Sequence, residues 1–325
     1  LVVAAPSWIL VSYIEGCIDL LFSVPFAVFG TDSKIIVFWA FYSYISVFLL
    51  YKLGTKRVLL KSAGIVLASL AVAIALSSYE LYNTFEVRVL SVGNGQCIVI
   101  TNGGKTAVVD CDSRSPGRAA NVLVKSLKER NITSIDLLIL TSLHTENTSS
   151  ADDLLGQFKI KTFMLPSYGG ERDFARYLEN KAAREDIIIA SVVADTVITL
   201  GDMVFNIYIP PSGGTSRGCA AVRVECGGAS VLILGELEPD VQDYVADTRY
   251  IPAVDAVVAG KNGANKATSP KILEKYGVKY VIISNSGLSD EKTLSGMTEF
   301  GARILSTEIQ GDIKLRFRNG RIKIN

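Results

Sequence analysis

The sequence predicts a mixed α/β domain that follows a membrane segment. Two long apolar runs lie within the first 79 residues, whereas glycine-rich turns separate short apolar strands from Phe85 onward. Later segments alternate between a strand and a helix, which is the pattern of a layered α/β fold. The part after the membrane segment, about 240 residues, is long enough to bury one sizeable core.

Two uncharged runs predict a transmembrane hairpin. Ile35 to Tyr51 is a run of 17 residues and Ser62 to Tyr79 is a run of 18. Both are close to the roughly 20 residues that a helix needs to cross a bilayer. We therefore expect membrane helices at about 34–52 and 60–79, within a membrane region that covers residues 1–83.

The loop between the two runs predicts their orientation. It contains Lys52, Lys56, Arg57 and Lys61 and has no acidic residue. Short basic loops stay in the cytoplasm. This places residues 84–325 on the extracytoplasmic side of a cell membrane.

Two further features of the membrane region concern its partners. Residues 7–25 form an amphipathic segment, which is expected to lie along the bilayer surface or against other helices. Gly64, Ala68, Ala71 and Ala75 form a stripe of small residues that suits close packing with further transmembrane helices. An alanine-rich helix without such a partner is the alternative. Because the chain starts at Leu1, we expect it to be part of a longer protein.

Charge and cysteine content exclude some functions of the second part. Residues 1–83 contain five basic and four acidic side chains, and the totals of 33 and 32 therefore leave 28 of each sign in residues 84–325. A neutral domain gives no overall electrostatic argument for nucleic-acid binding. The five cysteines show no metal-binding spacing, and a pairing of Cys219 with Cys226 is allowed by the spacing but not favoured by it.

Strands and helices follow in a regular order from Phe85. The segments FEVRVLSV, GQCIVITNGG and KTAVVDCD predict three consecutive strands joined by glycine turns. SPGRAANVLVKSLKERN predicts a helix and ITSIDLLILT the next strand, after which TSLHTENTSS, with the single histidine His144, is interpreted as a loop. Asp110 is interpreted as a turn-forming carboxylate that accepts hydrogen bonds from nearby backbone amides.

Several segments occur in the order of the motifs of a known family. They are VGNGQCIVI (92–100), VDCD (109–112), IDLLILTSLHTENTSS (135–150), LILGELE (232–238) and DAVVAGKNGA (255–264). In this order the chain resembles the C-terminal part of the ComEC/Rec2 family, competence proteins that form a DNA uptake channel. The resemblance covers almost the whole chain and implies a metallo-β-lactamase-like αββα sandwich for residues 84–325.

The family resemblance implies a metal site, but this chain has lost most of the ligands. The aligned residues that could still bind a metal are His144, Glu146 and Glu236. The other aligned ligand positions carry poor donors: Ser142, Asn147, Lys261 and Asn262. A protonated lysine repels a divalent metal. We therefore expect no dinuclear zinc site and no cofactor, with a single Mg²⁺ or Mn²⁺ ion as the alternative.

Other catalytic chemistry lacks its residues. No third group can be assigned to orient His144 beside Ser142 as a catalytic triad requires. Cys111 lies between Asp110 and Asp112, whose charges are expected to raise the pKa of its thiol and make it a poor nucleophile. His144 is therefore interpreted as the last imidazole of a site that has lost its chemistry.

The C-terminal segment DIKLRFRNGRIKIN predicts a β-hairpin that turns at Asn319 and Gly320. Its basic residues alternate toward one face: Lys314, Arg316, Arg318, Arg321 and Lys323. Such a ribbon could follow the phosphate backbone of DNA. The alternative is a charged outer face that protects an edge strand from aggregation.

Three hypotheses for the function follow. The first is the C-terminal portion of a ComEC/Rec2-like membrane protein for DNA uptake, whose outer domain is an inactive hydrolase with a structural or DNA-guiding role. The second is an active metal-dependent phosphodiesterase or nuclease with an altered ligand set. The third is a membrane-anchored interaction module with no role in DNA binding.

Overall fold

Two mixed sheets packed face to face form the centre of the domain that follows residue 84. The computed structural model describes residues 34–53, 56–143, 145–166, 172–211, 218–284, 291–318 and 321–324. Within this part the chain divides into two compact units. One contains the described residues up to Tyr79 and residues 126–132, and the other contains residues 80–125 and everything from Thr133 onward.

The first unit contains two long helices, α1 (Lys34–Leu53) and α2 (Lys56–Tyr82). The indole Nε1 of Trp39 donates a hydrogen bond of 2.9 Å to the Ser69 hydroxyl and joins them. Large apolar side chains such as Phe38, 75% exposed, point away from the pair. Within the residues that the structure describes, no helix is found to be long and apolar enough to cross a membrane.

The helices differ from the expected spans at the basic loop. The sequence placed the second helix at about 60–79, whereas α2 begins at Lys56 and takes up most of the loop. Lysine, arginine and leucine are good helix formers, so the helix extends into this segment. The amphipathic segment at residues 7–25 lies outside the described residues.

The first sheet has eight strands in the order β15-β14-β1-β2-β3-β4-β5-β6. The strands are β1 (Phe85–Val89), β2 (Cys97–Asn102), β3 (Lys105–Cys111), β4 (Ser134–Ile139), β5 (Lys159–Pro166), β6 (Ile188–Val192), β14 (Ile313–Arg318) and β15 (Arg321–Ile324). The four strands from β3 to β6 pair in parallel. The remaining pairs are antiparallel, so the last two strands of the chain close the sheet beside its first strand.

The second sheet has seven strands in the order β13-β12-β11-β10-β9-β8-β7. They are β7 (Thr196–Leu200), β8 (Met203–Tyr208), β9 (Ala221–Cys226), β10 (Ala229–Ile233), β11 (Ala256–Val258), β12 (Tyr280–Ile283) and β13 (Arg303–Ser306). It repeats the plan of the first sheet, with an antiparallel half from β7 to β10 and a parallel half from β10 to β13.

Apolar side chains from both sheets fill the space between them. Val87, Ile98 and Val109 of the first sheet and Val222 and Val231 of the second are fully buried in this one core. Burial of aliphatic surface on this scale supplies most of the stability of such a domain.

Helices cover the outer faces and complete an αββα sandwich. The remaining helices are α3 (Arg118–Glu129), α4 (Thr145–Gln157), α5 (Arg172–Arg184), α6 (Pro239–Thr248), α7 (Pro270–Tyr276), α8 (Glu291–Glu299) and α9 (Thr307–Gln310). On the first sheet α4 contacts β3 and α5 contacts β6. On the second, a separate core gathers Val245 of α6, Leu273 of α7 and Met297 of α8. The predicted mixed α/β fold is confirmed.

One predicted loop is wrong. The segment after His144 is helix α4 from Thr145 onward, so Glu146 and Asn147 belong to a helix. Its first half consists of polar residues with weak helix propensity. Because these residues show no apolar periodicity, the sequence pattern did not predict a helix here. Its second half buries Ala151, Leu154 and Leu155 at helical spacing.

Candidate functional site

The candidate site lies where strand ends of the two sheets meet. The backbone N–H of Ala220 donates to the carbonyl of Thr141 after β4 at 2.7 Å. The N–H of Lys261 donates to the carbonyl of Gly235 after β10, also at 2.7 Å. The first bond joins the end of β4 to the start of β9, and the second joins the segments after β10 and β11. Thr141 also donates its N–H to Asp110 of β3 and lies against Gly235. Strand ends of both sheets therefore meet at one edge of the sandwich, as the family motifs imply.

Asp110 lies in a β-bulge at the centre of this edge. Cys97 pairs with Cys111 and Ile98 pairs with Val109, so Asp110 is an extra residue in β3. Its φ of 55° is in the left-handed region, which aspartate tolerates better than most residues because its short side chain can bond locally. Bulges of this kind redirect a side chain and are common beside active sites.

The redirected carboxylate of Asp110 joins three segments. It accepts hydrogen bonds of 2.7 Å from the Thr141 N–H, the Thr141 hydroxyl and the Gln96 side-chain amide. The expected role as a local turn carboxylate is therefore wrong, since Thr141 is 31 residues away. A hydrogen bond between residues so far apart in the chain cannot be predicted from the sequence around Asp110.

Burial dominates the electrostatics of Asp110 and its neighbours. Loss of solvent raises the pKa of the Asp110 carboxyl, although its three donors oppose the shift. Burial also raises the pKa of Asp112 well above its usual range, and the charge of Asp110 adds to the effect. Among the described side chains, the Oε1 atom of Gln96 is buried here without a hydrogen-bond partner.

Two cysteines at this edge, Cys111 and Cys219, have thiols that resist ionisation. The pKa of Cys111 is raised well above its usual value, first by burial and then by Cys97, Asp112 and Asp110. The direction was expected from the two flanking carboxylates, whereas the main cause is burial. Burial and the charge of Glu236 raise the pKa of Cys219 to about 12, whereas a hydrogen bond with Ser142 acts to lower it. Neither thiol suits nucleophilic attack.

Lys261 and Asn262 occupy a strained turn. Their φ angles of 48° and 58° are left-handed, and Gly263 follows at 84°. The turn brings the Lys261 ammonium onto the Glu238 carboxylate in an ion pair. The Asn262 Oδ1 accepts a long hydrogen bond of 3.5 Å from the Ser284 hydroxyl. Runs of left-handed non-glycine residues persist only where the surrounding structure enforces them, typically at functional sites.

The predicted site residues come together only in part. Ser142 is buried beside Cys219, and the half-buried Glu236 is close enough to raise the pKa of Asp112 as well as that of Cys219. His144 lies outside the described residues, and so do the side chains of Glu146 and Asn147 within α4. Among the side chains that are described, no group of three or more histidine, cysteine, aspartate and glutamate residues could hold a metal ion.

The described residues therefore do not fit a dinuclear metal centre. Lys261 stands at an aligned ligand position with its charge already paired, and three hydrogen bonds occupy the carboxylate of Asp110. Neither group is free to coordinate a divalent ion without losing these partners. The expected absence of zinc and the alternative of a single Mg²⁺ or Mn²⁺ ion stay predictions.

The C-terminal ribbon is a second candidate surface. Strands β14 and β15 pair antiparallel with Arg316 opposite Lys323 and Arg318 opposite Arg321. Opposed residues and alternate residues point to the same face, so the five predicted basic side chains share one face. The predicted turn residues, 319 and 320, lie outside the described part of the chain.

A buried ion cluster adjoins the ribbon. Glu86 of β1 is 2% exposed and accepts from Arg88 at 3.1 Å and from Arg316 at 2.6 Å. Arg316 is therefore partly engaged in holding β14 against β1. Arg321 and Lys323, on the edge strand, have exposed side chains.

Comparison with solved structures identifies the class of fold. The metallo-β-lactamase fold protein YhfI from Bacillus subtilis superposes with a TM-score of 0.51 and 11% sequence identity, covering 72% of this chain and all of that one. The Zn²⁺-bound PqqB from Methylobacterium extorquens gives a TM-score of 0.46 at 8% identity, covering 71% and 99%. The likeness to YhfI shows that this chain has the metallo-β-lactamase fold.

A curated relative makes the resemblance more specific. ComE operon protein 3 from Bacillus subtilis is 26% identical over 209 residues, which are 61% of this chain and 26% of the relative. The similarity to the ComEC family that the motifs predicted is thereby confirmed, and the match spans about a quarter of the relative's length. No protein-family model matches the chain.

Proposed function

We propose that this chain is the C-terminal portion of a ComEC/Rec2-like membrane protein for DNA uptake. The observation that carries the proposal is the match to ComE operon protein 3 at 26% identity over 209 residues. The order of the site segments in this chain, which resembles the order in the ComEC/Rec2 family, adds to it. The fold of residues 84–325 is consistent with it. The proposal includes a membrane hairpin that precedes the domain in the sequence. Its support is the exposure of apolar side chains on α1 and α2, including Phe38 and Ile65, although neither helix, as far as the structure describes it, is found to be long and apolar enough to cross a membrane.

The outer domain is an inactive hydrolase in this proposal. Support comes from the positions where the family implies metal ligands. Lys261 forms an ion pair with Glu238, and Ser142 is buried against Cys219. A positive charge in place of a ligand lowers the affinity for any divalent ion through direct repulsion.

The experiment on catalysis combines metal analysis with a nuclease assay. We expect the purified chain to contain less than one zinc or manganese ion in ten molecules and to leave single- and double-stranded DNA intact. Near-stoichiometric metal together with DNA cleavage that is lost in both His144→Ala and Glu236→Ala would establish the active hydrolase instead.

The basic face of β14 and β15 guides DNA in this proposal. Arg321 and Lys323 are exposed on the edge strand, and Lys314 and Arg318 share their face. Basic side chains spaced along a ribbon can each neutralise a phosphate, and the release of counterions makes such binding sensitive to salt.

A salt titration of DNA binding tests this role. The double variant Arg321→Gln, Lys323→Gln should bind single-stranded DNA at least about tenfold more weakly at low salt. The slope of log affinity against log salt should fall by about 1.4 to 1.8 because two phosphate contacts are lost. The matched control, Lys125→Gln with Lys159→Gln, removes two exposed charges elsewhere. Equal affinity of both variants and the parent would rule out the ribbon as the DNA contact, and a parent that does not bind DNA would favour an interaction module without a DNA role.

A further inference from the structure

We propose that Cys97 and Cys111 form a disulfide bond while the domain folds. In the folded domain this bond is buried and has no contact with solvent. The two residues lie opposite each other on the antiparallel strands β2 and β3. Both are fully buried, with 0% of the side chain exposed. Their separation in sequence gave no sign of the pair, because only the strand register brings them together.

The backbone around the pair has the geometry that a cross-strand disulfide needs. The N–H of Asp112 donates to the carbonyl of Gln96 at 3.0 Å, one residue beyond each cysteine. This bond marks Cys97 and Cys111 as a non-hydrogen-bonded pair, and in a regular sheet the Cα atoms of such pairs lie about 4.5 Å apart. Disulfides bridge Cα separations of about 4.4–6.8 Å. The two thiols already form a hydrogen bond with each other.

The other described cysteines do not have such a partner opposite them. Cys226 is paired in register with Ala229 of β10, and Cys219 contacts Ser142 before β9 begins. The pairing of Cys219 with Cys226 that the sequence spacing allowed is therefore not the one that the strand register favours.

The bond forms by exchange with a disulfide-bearing oxidant. The thiolate of one cysteine attacks a sulfur of the oxidant, and one oxidant thiol leaves. The second cysteine then loses its proton and displaces the remaining oxidant half as a thiol. Two protein thiols are oxidised to one disulfide while the oxidant disulfide is reduced to two thiols, so atoms and electrons balance.

Burial limits this exchange to the time of folding. In the folded domain neither sulfur reaches solvent, and burial together with neighbouring carboxylates keeps the Cys111 thiol protonated. A protonated and inaccessible thiol does not attack a disulfide. The same burial protects the finished bond from reductants. In the cell the bond depends on the extracytoplasmic location of the domain, which belongs to the proposed function, because cytoplasmic thiols stay reduced.

The position of Cys111 gives the disulfide bond a structural role at the candidate site. Cys111 lies between Asp110 and Asp112, directly after the bulge that aims Asp110 at Thr141. A covalent link from Cys111 to β2 fixes the bulge at one end. The bond would also close a loop of the 15 residues from 97 to 111 in the unfolded chain.

The experiment compares two oxidation protocols on the full chain in detergent. One sample is unfolded in guanidinium and refolded with oxidised glutathione, and the other receives the same oxidant while folded. After removal of the oxidant, both samples are alkylated in guanidinium so that buried thiols react, digested without reduction and mapped by mass spectrometry. We expect a peptide that links Cys97 to Cys111 in the refolded sample and alkylated thiols at both positions in the folded one.

Stability measurements on the same samples complete the test. The linked chain should melt roughly 5–10 °C higher than its reduced form, because closing a loop of this size restricts the unfolded chain. The variant Cys219→Ser, Cys226→Ser should still form the link, whereas Cys111→Ala should show no redox-dependent midpoint. Alkylated Cys97 and Cys111 after oxidative refolding, or a link without a rise in the midpoint, would overturn the proposal. Neither result depends on the compartment of the domain or on DNA binding.

Discussion

At the scale of single residues, Asp110 is the side chain on which the candidate site depends. Asp110→Ala should leave three donors without an acceptor and place alanine at a positive φ. We expect the free energy of unfolding to fall by about 3 kcal/mol. Asp110→Asn should cost less than about 1 kcal/mol, since the Gln96 amide can turn its unpaired oxygen toward the new NH₂ group. Denaturant unfolding of both variants measures the difference, and equal losses would contradict this account.

Asp112 should make stability depend on pH. Its folded pKa lies well above the 3.8 of an unperturbed carboxyl, so the folded state holds the proton more tightly than the unfolded state does. The stabilising contribution is therefore present below about pH 4 and is lost as the pH rises toward the folded pKa. Asp112→Asn keeps an acceptor for the Gln96 N–H but cannot ionise.

The comparison of parent and variant across pH tests this sign. The stability of Asp112→Asn relative to the parent should improve as the pH rises from about 4 toward the folded pKa of Asp112. Chemical denaturation at several pH values measures both curves. A parent that gains stability over this range relative to the variant would show that the carboxylate, not the acid, is the preferred folded form.

From the sequence, only those site residues could be predicted that lie at positions aligned with the family motifs. The motif order points to the segments of Ser142, Glu236 and Lys261, and these segments lie at one edge of the sandwich. The sequence did not reveal the bond from Asp110 to Thr141 or the ion pair of Lys261 with Glu238, because both depend on how distant loops meet. Long-range contacts of this kind follow from packing, not from local residue preference.

At the scale of elements, the turn from Gly260 to Gly263 is fixed by packing against β12. A Cβ atom on Gly263 would lie 2.4 Å from the Cγ2 atom of Ile283, and the φ of this residue is 84°. Gly263→Ala should therefore lower the free energy of unfolding by about 3 kcal/mol. Gly277→Ala is a matched control, since its φ is also positive but no atom lies within 4 Å of the added Cβ. That variant should lose about 1 kcal/mol, and similar losses for both would show that backbone strain alone matters.

Elements with strong periodicity were predicted and polar ones were not. The strands β1, β2 and β3 and the helix α3 match their predicted segments closely. Helix α4 was missed because its first turns carry threonine, serine and asparagine, and tertiary contacts of Leu154 and Leu155 stabilise it instead. The αββα arrangement could be predicted only through the family resemblance, since apolar periodicity does not specify strand order.

At the scale of the whole molecule, the proposed membrane orientation makes a topological prediction. Alkaline phosphatase, which folds only outside the cytoplasm, should be active when fused after Asn325, whereas the fusion after Leu53 should be inactive. The reason is the basic segment between the two apolar runs, which is retained in the cytoplasm. Changing Lys56, Arg57 and Lys61 to glutamine should reduce the activity ratio of the two fusions. A high activity at Leu53 would contradict the orientation.

The pairing of β1 with β14 has a consequence for biosynthesis. Glu86 and Arg316, which form an ion pair across these strands, are 230 positions apart in the chain. The first strand therefore has an unpaired edge until nearly the whole chain has been synthesised, and contacts of such separation form slowly. In the proposed extracytoplasmic orientation, a domain built in this way would cross the membrane before its first sheet is complete. Truncation before Ile313 should consequently yield a chain that reaches the far side of the membrane but is rapidly degraded there.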